Sequence, residues 1–164
     1  MGAKPEYRLS TLVKLRERKK EEAEHYLAQT LKALREEQKR LEEMEAELDR
    51  MIAKREAKMR EYAEKSMRGE MSAQSVINSN VYIERLKEQE EAQKSAIEGQ
   101  KGVIRQRQED VDGARQDLVA ASQELQALEK HREKWEEEVK REQLIKEENR
   151  MDEIAQAIHR AKHS

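Results

Sequence analysis

Apolar side chains recur at intervals of seven along two long segments of this chain, and most of the positions between them are charged. The rows are Leu27, Leu34, Leu41 and Leu48 in the first segment, and Ile97, Ile104, Val111, Leu118 and Leu125 in the second. A spacing of seven keeps one stripe of a helix apolar, so each row predicts a long amphipathic helix.

One interruption separates the two segments. Between Met67 and Ser75, a glycine and two serines replace the charged, alanine-rich pattern. Glycine often ends a helix and serine often caps the next one, so we expect Gly69 to close the first helix and Ser72 to cap the second. The sequence therefore predicts an all-α fold, a long antiparallel two-helix coiled-coil hairpin with an overhanging C-terminal helix.

The pattern divides the chain into five segments. They are an extended N-terminal lead (1–9), helix one (10–68), a turn (69–75), the part of helix two that pairs with helix one (76–138), and a C-terminal helical overhang (139–164). Pro5, the only proline, disfavours helix just before it, and Ser10 or Thr11 can cap the helix that follows. At ~1.5 Å per residue the two arms are roughly 90 Å and 130 Å long. Helix two is therefore expected to outrun its partner.

A register follows from requiring the apolar rows to face each other. It places Leu34 opposite Val111 and Arg55 opposite Glu90, whereas a slip of one heptad would bury Arg55 against Ile83 without a partner. The layers between the apolar ones then pair Thr30 with Arg115, Glu37 with Gln108, Met44 with Lys101, and Met51 with Lys94. Because these intermediate layers make half of the seam polar, we expect the seam to be thinly stabilised.

Three glycines lie inside helix two, at positions 99, 102 and 113. Each one costs about 1 kcal/mol relative to alanine in a helix interior. Two interpretations stay open: harmless surface glycines, or a local bend near residues 99–102.

The overhang is amphipathic. Leu144, Met151 and Ile158 recur at seven, and Ile154 lies beside them on the same stripe. Such a stripe either binds another protein or belongs to a solvated helix end or a self-association seam. At the base of the overhang, we expect Leu12, Leu15, Leu128 and Trp135 to form a small cluster that closes the open end of the hairpin.

The composition excludes a globular core, because 43% of the residues are charged, 3% are aromatic and none is phenylalanine. Positive and negative charges nearly cancel, at a net −2, which argues against a nucleic-acid binder. One basic cluster, Lys14–Lys20, is either a solvated face neutralised by Glu17, Glu21 and Glu22 or a docking site for an acidic partner. Without cysteines or an apolar run of ~20 residues, we expect no disulfides, no membrane insertion and a cytosolic protein.

No constellation of residues predicts catalysis. The four histidines are scattered, and only His159 and His163 have a ligand spacing, without a carboxylate beside them. The segment Asp110–Gly113 lacks the remaining ligands of a calcium loop, and Gly99–Gly102 lacks the strand and the Lys-Ser/Thr pair of a phosphate-binding loop. We therefore expect no catalytic, cofactor-binding or metal-binding residues, and a protein that is not an enzyme.

Both termini carry a family resemblance. The opening segment, YRLSTLVKLRERKKEEA from Tyr7 to Ala23, resembles the start of the type III secretion stalk proteins, the family of FliJ in flagella and YscO in injectisomes. The segments His131–Val139 and Met151–Gln156 are similar to the charged closing helix of that family, particularly of its injectisome branch.

The resemblance implies a central stalk that promotes the activity of the hexameric secretion ATPase, links it to the cytoplasmic domain of the export gate and, in some members, binds secretion chaperones. It implies a monomeric rod in the cytoplasm, peripheral to the inner-membrane secretion apparatus, with the tip near 69–75 towards the gate. Carried onto this chain, the expected partner-binding residues are Leu12, Leu15, Arg16, Lys19, Trp135, Leu144, Met151, Ile154 and Ile158. The alternatives are a generic coiled-coil spacer or homodimerisation scaffold and, third, nucleic-acid binding through the basic cluster.

Overall fold

The computed structural model describes residues 5–163, and within them the chain consists of two α-helices. Helix α1 spans Ser10–Met67 and helix α2 spans Ala73–His163. Glu37 of α1 contacts Gln100 of α2, and Arg55, later in α1, contacts Glu90, earlier in α2. The two helices are therefore antiparallel and form a hairpin. The predicted all-α hairpin is confirmed for these residues. Part of the predicted lead, residues 1–4, and Ser164 lie outside the described residues.

The start of α1 differs in detail from the predicted cap. The carbonyl of Leu9 accepts the first helical hydrogen bond, from the N–H of Val13 at 2.9 Å, and the N–H of Ser10 bonds to the carbonyl of Tyr7 at 3.0 Å. The N-cap position is therefore Leu9 rather than Ser10 or Thr11. The carbonyl of Tyr7, in the lead, thus accepts a hydrogen bond from the start of α1, where a side-chain cap was expected.

The turn is built by the two predicted cap residues. Gly69 has a positive φ of 70°, and its N–H and that of Glu70 bond to the carbonyls of Ser66 and Lys65 at 3.1 and 3.0 Å. This pair of bonds is the Schellman closure of a helix. At the other side, the hydroxyl of Ser72 accepts a hydrogen bond from the N–H of Ser75 at 3.1 Å. Because Ser72 caps it, α2 begins at Ala73, three residues before the predicted start at 76.

The described chain divides into two compact units, of which one comprises Tyr26–Arg115. In this unit the predicted partners Arg55 and Glu90 meet, with Nε and Oε2 2.6 Å apart. Buried apolar side chains from both helices make up its core: Leu34, Ile83, Leu86, Ile97, Val111 and Ala114. Thr30, Glu90 and Gln100 are buried polar residues, so polar groups do interrupt this core.

The predicted second row of α2 is wrong. Residues Lys94, Lys101, Gln108 and Arg115 are all exposed, and the inward positions are Leu86, Gln93, Gln100, Arg107 and Ala114. Glu37 and Met44 accordingly contact Gln100 and Gln93 instead of Gln108 and Lys101. The physical reason is that the observed inward row buries Leu86 and Ala114. Lys94 and Lys101 stay solvated and pair with carboxylates of their own helix.

The two inward glutamines make the same contact one heptad apart. The side-chain amide of Gln100 donates to the carbonyl of Glu37 at 3.0 Å, and that of Gln93 donates to the carbonyl of Met44, also at 3.0 Å. Gln100 donates to the carboxylate of Glu37 as well, at 2.6 Å. A buried amide is costly unless it is hydrogen-bonded, so these bonds allow polar residues to occupy the seam.

The glycines of α2 are expected to lower its stability without serving the packing. A Cβ at Gly99 or Gly113 would meet nothing within 4 Å, and α2 passes through both positions without interruption. We therefore expect Gly99→Ala and Gly113→Ala each to raise the free energy of unfolding by about 1 kcal/mol. Gly69→Ala is the contrasting control and should lower it, since φ at that position is 70°. Urea unfolding followed by circular dichroism measures all three, and destabilisation by Gly99→Ala would contradict the expectation.

The second unit joins the described residues up to His25 with those from Gln116 onwards. Its core is a cluster of Tyr7, Val13 and Leu125, against which Leu9, Leu128 and Trp135 pack, half-buried. The lead preceding α1 is therefore part of this core, since it contributes Tyr7 and Leu9.

Candidate functional site

The four residues of the overhang that the sequence predicts to bind a partner are exposed. Leu144, Met151, Ile154 and Ile158 have 60%, 67%, 49% and 54% of their surfaces accessible, and all described residues from 140 onwards are exposed. Isolated exposed leucines are ordinary, but four on one stripe of a single helix form a patch.

This apolar stripe, Leu144, Met151, Ile154 and Ile158, does not continue the side of α2 that packs in the core. Leu128 and Trp135 mark that side. Each residue turns the helix by ~100°, so the side marked by these two residues continues into the overhang through polar positions. The apolar stripe lies on roughly the opposite side of the helix. The polar continuation consists of Glu142, Asn149, Glu153 and Arg160. A partner of the stripe would therefore approach α2 from the side away from this core.

The predicted residues near the start of α1 share one face. Leu12, Leu15, Arg16, Arg18 and Lys19, called the basic face below, line a shallow groove of about 320 Å³ together with Glu22. Leu15 is 57% exposed and Leu12 is half-buried. The predicted cluster of Leu12 and Leu15 with Trp135 is wrong, because Val13 and the lead occupy the core side of α1 and direct these two leucines outward.

Glu124 anchors the basic face to α2. Its carboxylate accepts hydrogen bonds from Arg16 and from the Nζ of Lys19, the latter at 3.2 Å. The hydrogen bond from Lys19, with the charge of Arg16, holds the pKa of Glu124 below its ordinary value, and partial desolvation opposes this. Two of the five basic-face residues are thereby held in place.

This lowered pKa predicts an acid-sensitive contribution to stability. A carboxylate whose pKa is depressed in the folded state stabilises the protein above its unfolded pKa, and this stabilisation is lost as the pH falls through the folded value. We therefore expect Glu124→Gln to lower the melting temperature at pH 7 and to lower it less at about pH 3, below the ordinary glutamate pKa. Glu129→Gln, at an exposed position without a described ion pair, should change neither value. An equal effect of Glu124→Gln at both pH values would contradict the expectation.

Trp135 lies inside the cluster of the second unit and not on an open surface. Its ring centroid is 5.2 Å from that of Tyr7, whose hydroxyl hydrogen-bonds Nδ1 of His131. The guanidinium of Arg132 lies 6.0 Å from the centroid of the Tyr7 ring. Sequence reasoning missed Tyr7, which is only 5% exposed, because it precedes α1 and follows no heptad. Since the lead has no heptad pattern, periodicity could not indicate that it contains a buried aromatic side chain.

A second surface that sequence reasoning missed lies beside the turn. A groove of about 570 Å³ runs along Met59, Tyr62, Ala63 and Ser66 of α1, Met71 of the turn, and Val76, Ser79, Asn80, Ile83, Glu84 and Lys87 of α2. Met67, Ile77 and Val81 nearby are 89%, 55% and 54% exposed. A signal existed, since residues 71–83 carry no charge in a chain that is 43% charged.

The two histidines with a ligand spacing, His159 and His163, gain no further ligand among the described residues. In residues 5–163 no three His, Cys, Asp or Glu side chains come together as metal ligands. The rings of His159 and His163 are 4.4 Å apart, but they remain a pair. Neither described helix contains a segment that is both long and apolar enough to cross a membrane.

Comparison with known proteins agrees with this architecture. A family model described as YscO-like protein matches residues 4–164. A solved structure of a protein described as a YscO homologue, from Chlamydia trachomatis, superposes with a TM-score of 0.81 over 95% of this chain and 96% of that chain, at 22% identity. That likeness shows a shared fold, and no curated protein matches the sequence significantly. Because the family match covers nearly the whole chain, this protein belongs to the YscO-like family of type III secretion stalk proteins.

Proposed function

We propose that this protein is a non-enzymatic central stalk that engages the hexameric secretion ATPase and promotes its activity. The observation that carries the proposal is the apolar stripe of the overhang, exposed along α2 in a member of a secretion-stalk family. Four apolar side chains held on one rigid helix fit the helix-in-groove mode of recognition, in which such a face lies in an apolar groove of a partner.

The basic face supplies a second contact to the same partner. Leu15 is exposed, and the cations around it remain accessible to solvent even where they pair with Glu124. Leucines surrounded by cations suit a protein surface that carries carboxylates around an apolar patch. The overhang and the basic face are both drawn from the same compact unit. Together they would give the ATPase two attachment points.

The groove beside the turn is the proposed contact with the cytoplasmic domain of the export gate. Its methionines, Met59 and Met71, can adapt to the shape of a partner, and the surrounding segment 71–83 is uncharged. The same surface is available to secretion chaperones. With these contacts, the protein would act as a monomer in the cytoplasm, peripheral to the inner-membrane secretion apparatus.

A generic spacer or homodimerisation scaffold is the competing function. It is favoured by the same stripe, since an apolar helix face also suits a second copy. The two functions predict different masses in solution and different effects on an ATPase.

The test combines the full chain with its cognate secretion ATPase. Light scattering should give the mass of one chain for the protein alone, and ATP turnover by the ATPase should increase when the chain is added. The same chain should leave an unrelated hexameric ATPase unchanged. A stable homodimer that has no effect on the cognate ATPase would support the scaffold function instead.

A further inference from the structure

The overhang carries two imidazoles that are placed to share one metal ion but lack its remaining ligands. His159 and His163 are four residues apart on α2, and their ring centroids are 4.4 Å apart. Histidines at this spacing lie one turn apart on the same face of a helix and can bind the same divalent ion. In residues 5–163 no third His, Cys, Asp or Glu side chain joins them as a ligand. One chain therefore supplies only half of a tetrahedral site.

Two carboxylates earlier in the overhang have the same spacing and lie on the same face. Glu148 and Asp152 are also four residues apart. Each residue turns the helix by ~100°, so the two carboxylates and the two imidazoles lie within roughly 60° of one another around α2. All four side chains are exposed. This ligand face, Glu148, Asp152, His159 and His163, is about a quarter turn away from the apolar stripe.

The carboxylates of one chain cannot complete the site formed by its own imidazoles. Helix α2 is continuous through these positions. An ion held between His159 and His163 lies about 13 Å along the helix axis from Asp152, the nearer carboxylate. Because metal–oxygen bonds are only ~2.0–2.2 Å long, this distance is beyond the reach of an aspartate side chain. The missing ligands must come from another molecule.

A second copy of the chain that runs antiparallel to the first supplies these ligands. The midpoint between Glu148 and His163 is also the midpoint between Asp152 and His159, and it falls between residues 155 and 156. A two-fold axis through this point brings Asp152 of each copy level with His159 of the other. The same axis brings Glu148 level with His163. Each pair of imidazoles then faces a pair of carboxylates.

The residues around the ligand face suit this contact between two copies. Ala155 lies at its centre, and its small side chain allows the two helices to approach to the usual ~8–10 Å. At one flank, Glu153 of each copy lies nearly level with Arg160 of the other, so opposite charges face each other. The overhang therefore complements a second copy of itself in charge as well as in ligand spacing.

We propose that two antiparallel copies of the overhang bind two divalent metal ions between them, with Zn²⁺ as the ion that fits best. His159 and His163 of one copy and Glu148 and Asp152 of the other would hold each ion. Two nitrogen and two oxygen ligands form a tetrahedral set of a kind that suits Zn²⁺. The inference goes beyond the proposed function and does not depend on it. It adds a metal-dependent dimer to the monomer that acts on the ATPase.

Light scattering of the full chain with and without Zn²⁺ tests the site. In EDTA the protein should have the mass of one chain. Addition of Zn²⁺ should double this mass, and the change should be complete at one ion per chain, because the dimer holds two. The double variants His159→Ala/His163→Ala and Glu148→Gln/Asp152→Asn should both stay monomeric with Zn²⁺, since each lacks half of the ligands of both sites.

The control variant is Glu142→Gln/Glu147→Gln. It removes two carboxylates from exposed positions of the overhang, as Glu148→Gln/Asp152→Asn does, but these two lie off the ligand face. It should dimerise with Zn²⁺ like the unmodified chain. In EDTA, all variants should match the unmodified chain in helicity by circular dichroism, because every substituted position is exposed.

A mixture of the two monomeric variants shows whether both copies contribute ligands. One variant then brings the carboxylates and the other brings the imidazoles, so that one of the two sites is complete. The mixture should form a heterodimer that holds one Zn²⁺, although neither variant dimerises alone. A site within one chain, or a site made of imidazoles only, would not produce this result.

Several results would overturn the inference. They are an unchanged mass in Zn²⁺, a Zn²⁺-dependent dimer of either monomeric variant alone, a mixture that stays monomeric, or a dimer that forms only at a large molar excess of Zn²⁺. A dimer that persists in EDTA would also contradict the inference and would support the scaffold function. Stimulation of the ATPase, measured in EDTA-treated and Zn²⁺-loaded chain, tests the proposed function separately.

Discussion

Ending the chain after Lys140 is expected to abolish the stimulation of the secretion ATPase and to leave the hairpin folded. All residues removed are exposed in the described part of the overhang, so the core around Tyr7 and Leu125 loses no buried side chain. The half-buried Val139 is retained. The truncated chain should show the same melting temperature as the full chain, and ATP turnover in its presence should fall to the level of the ATPase alone.

A matched pair of full-length variants shows whether the apolar stripe causes the effect. In one variant Leu144, Met151, Ile154 and Ile158 become glutamine, and in the control Glu142, Asn149, Glu153 and Arg160 do. The two sets lie on roughly opposite sides of α2, and glutamine is a good helix former, so both variants should keep their helix. We expect the first variant to behave like the truncated chain and the control to stimulate normally. Full stimulation by the truncated chain would refute a role of the overhang.

The second large effect is expected in the seam. Replacing Arg55 by leucine should lower the melting temperature more than any other single charge removal in α1, because it leaves the buried Glu90 without its partner. The side chain of Glu90 is only 6% exposed, and Nε of Arg55 lies 2.6 Å from its carboxylate. The hydrogen bond that Arg55 donates to Glu90 also raises the pKa of Arg55, so the arginine keeps its charge at every working pH.

Two controls identify the cause of this loss. Arg50→Leu breaks an ion pair of the same length, but its partner Glu47 is half exposed, so it should have little effect. The double variant Arg55→Leu/Glu90→Leu should recover most of the stability, since leucines in place of a buried ion pair are often neutral or stabilising. A double variant that is no more stable than Arg55→Leu would contradict the explanation. Thermal unfolding by circular dichroism measures all four proteins.

Much of the fold follows from local patterns. Heptad rows predicted both helices, and the caps Gly69 and Ser72 predicted the turn, because backbone conformation and hydrogen bonding there depend on adjacent residues. The pairing of Arg55 with Glu90 could also be predicted, since each residue is the polar break in its own apolar row. These features need no knowledge of distant contacts.

The inward row of α2 was harder to predict from the sequence. Positions three or four residues after an apolar row both lie near the seam, and the prediction chose Lys94 and Lys101 where the structure buries or half-buries Gln93 and Gln100. Glutamine becomes acceptable there only because a carbonyl of α1 lies 3.0 Å from its amide. Such a partner belongs to the packed hairpin and has no trace in the local sequence.

The candidate site, like the fold, could be predicted from the sequence only in part. An overhang with an apolar stripe followed from the unequal helix lengths and the spacing of Leu144, Met151 and Ile158. The burial of Trp135 under Tyr7, and the outward direction of Leu12 and Leu15, required the lead to pack on α2. The lead has no periodicity, so only its tertiary contacts show where it lies.

By itself, the sequence determined two long helices, the turn between them and the apolar stripe on the overhang, because each depends on residues within a few turns of one another. Its resemblance at both termini also indicated the secretion-stalk family, which the match over residues 4–164 confirmed. Only the tertiary structure decided which polar residues enter the seam, where the lead packs and which cations pair across the two helices. These depend on partners on the other helix, and such contacts exist only once the hairpin has closed.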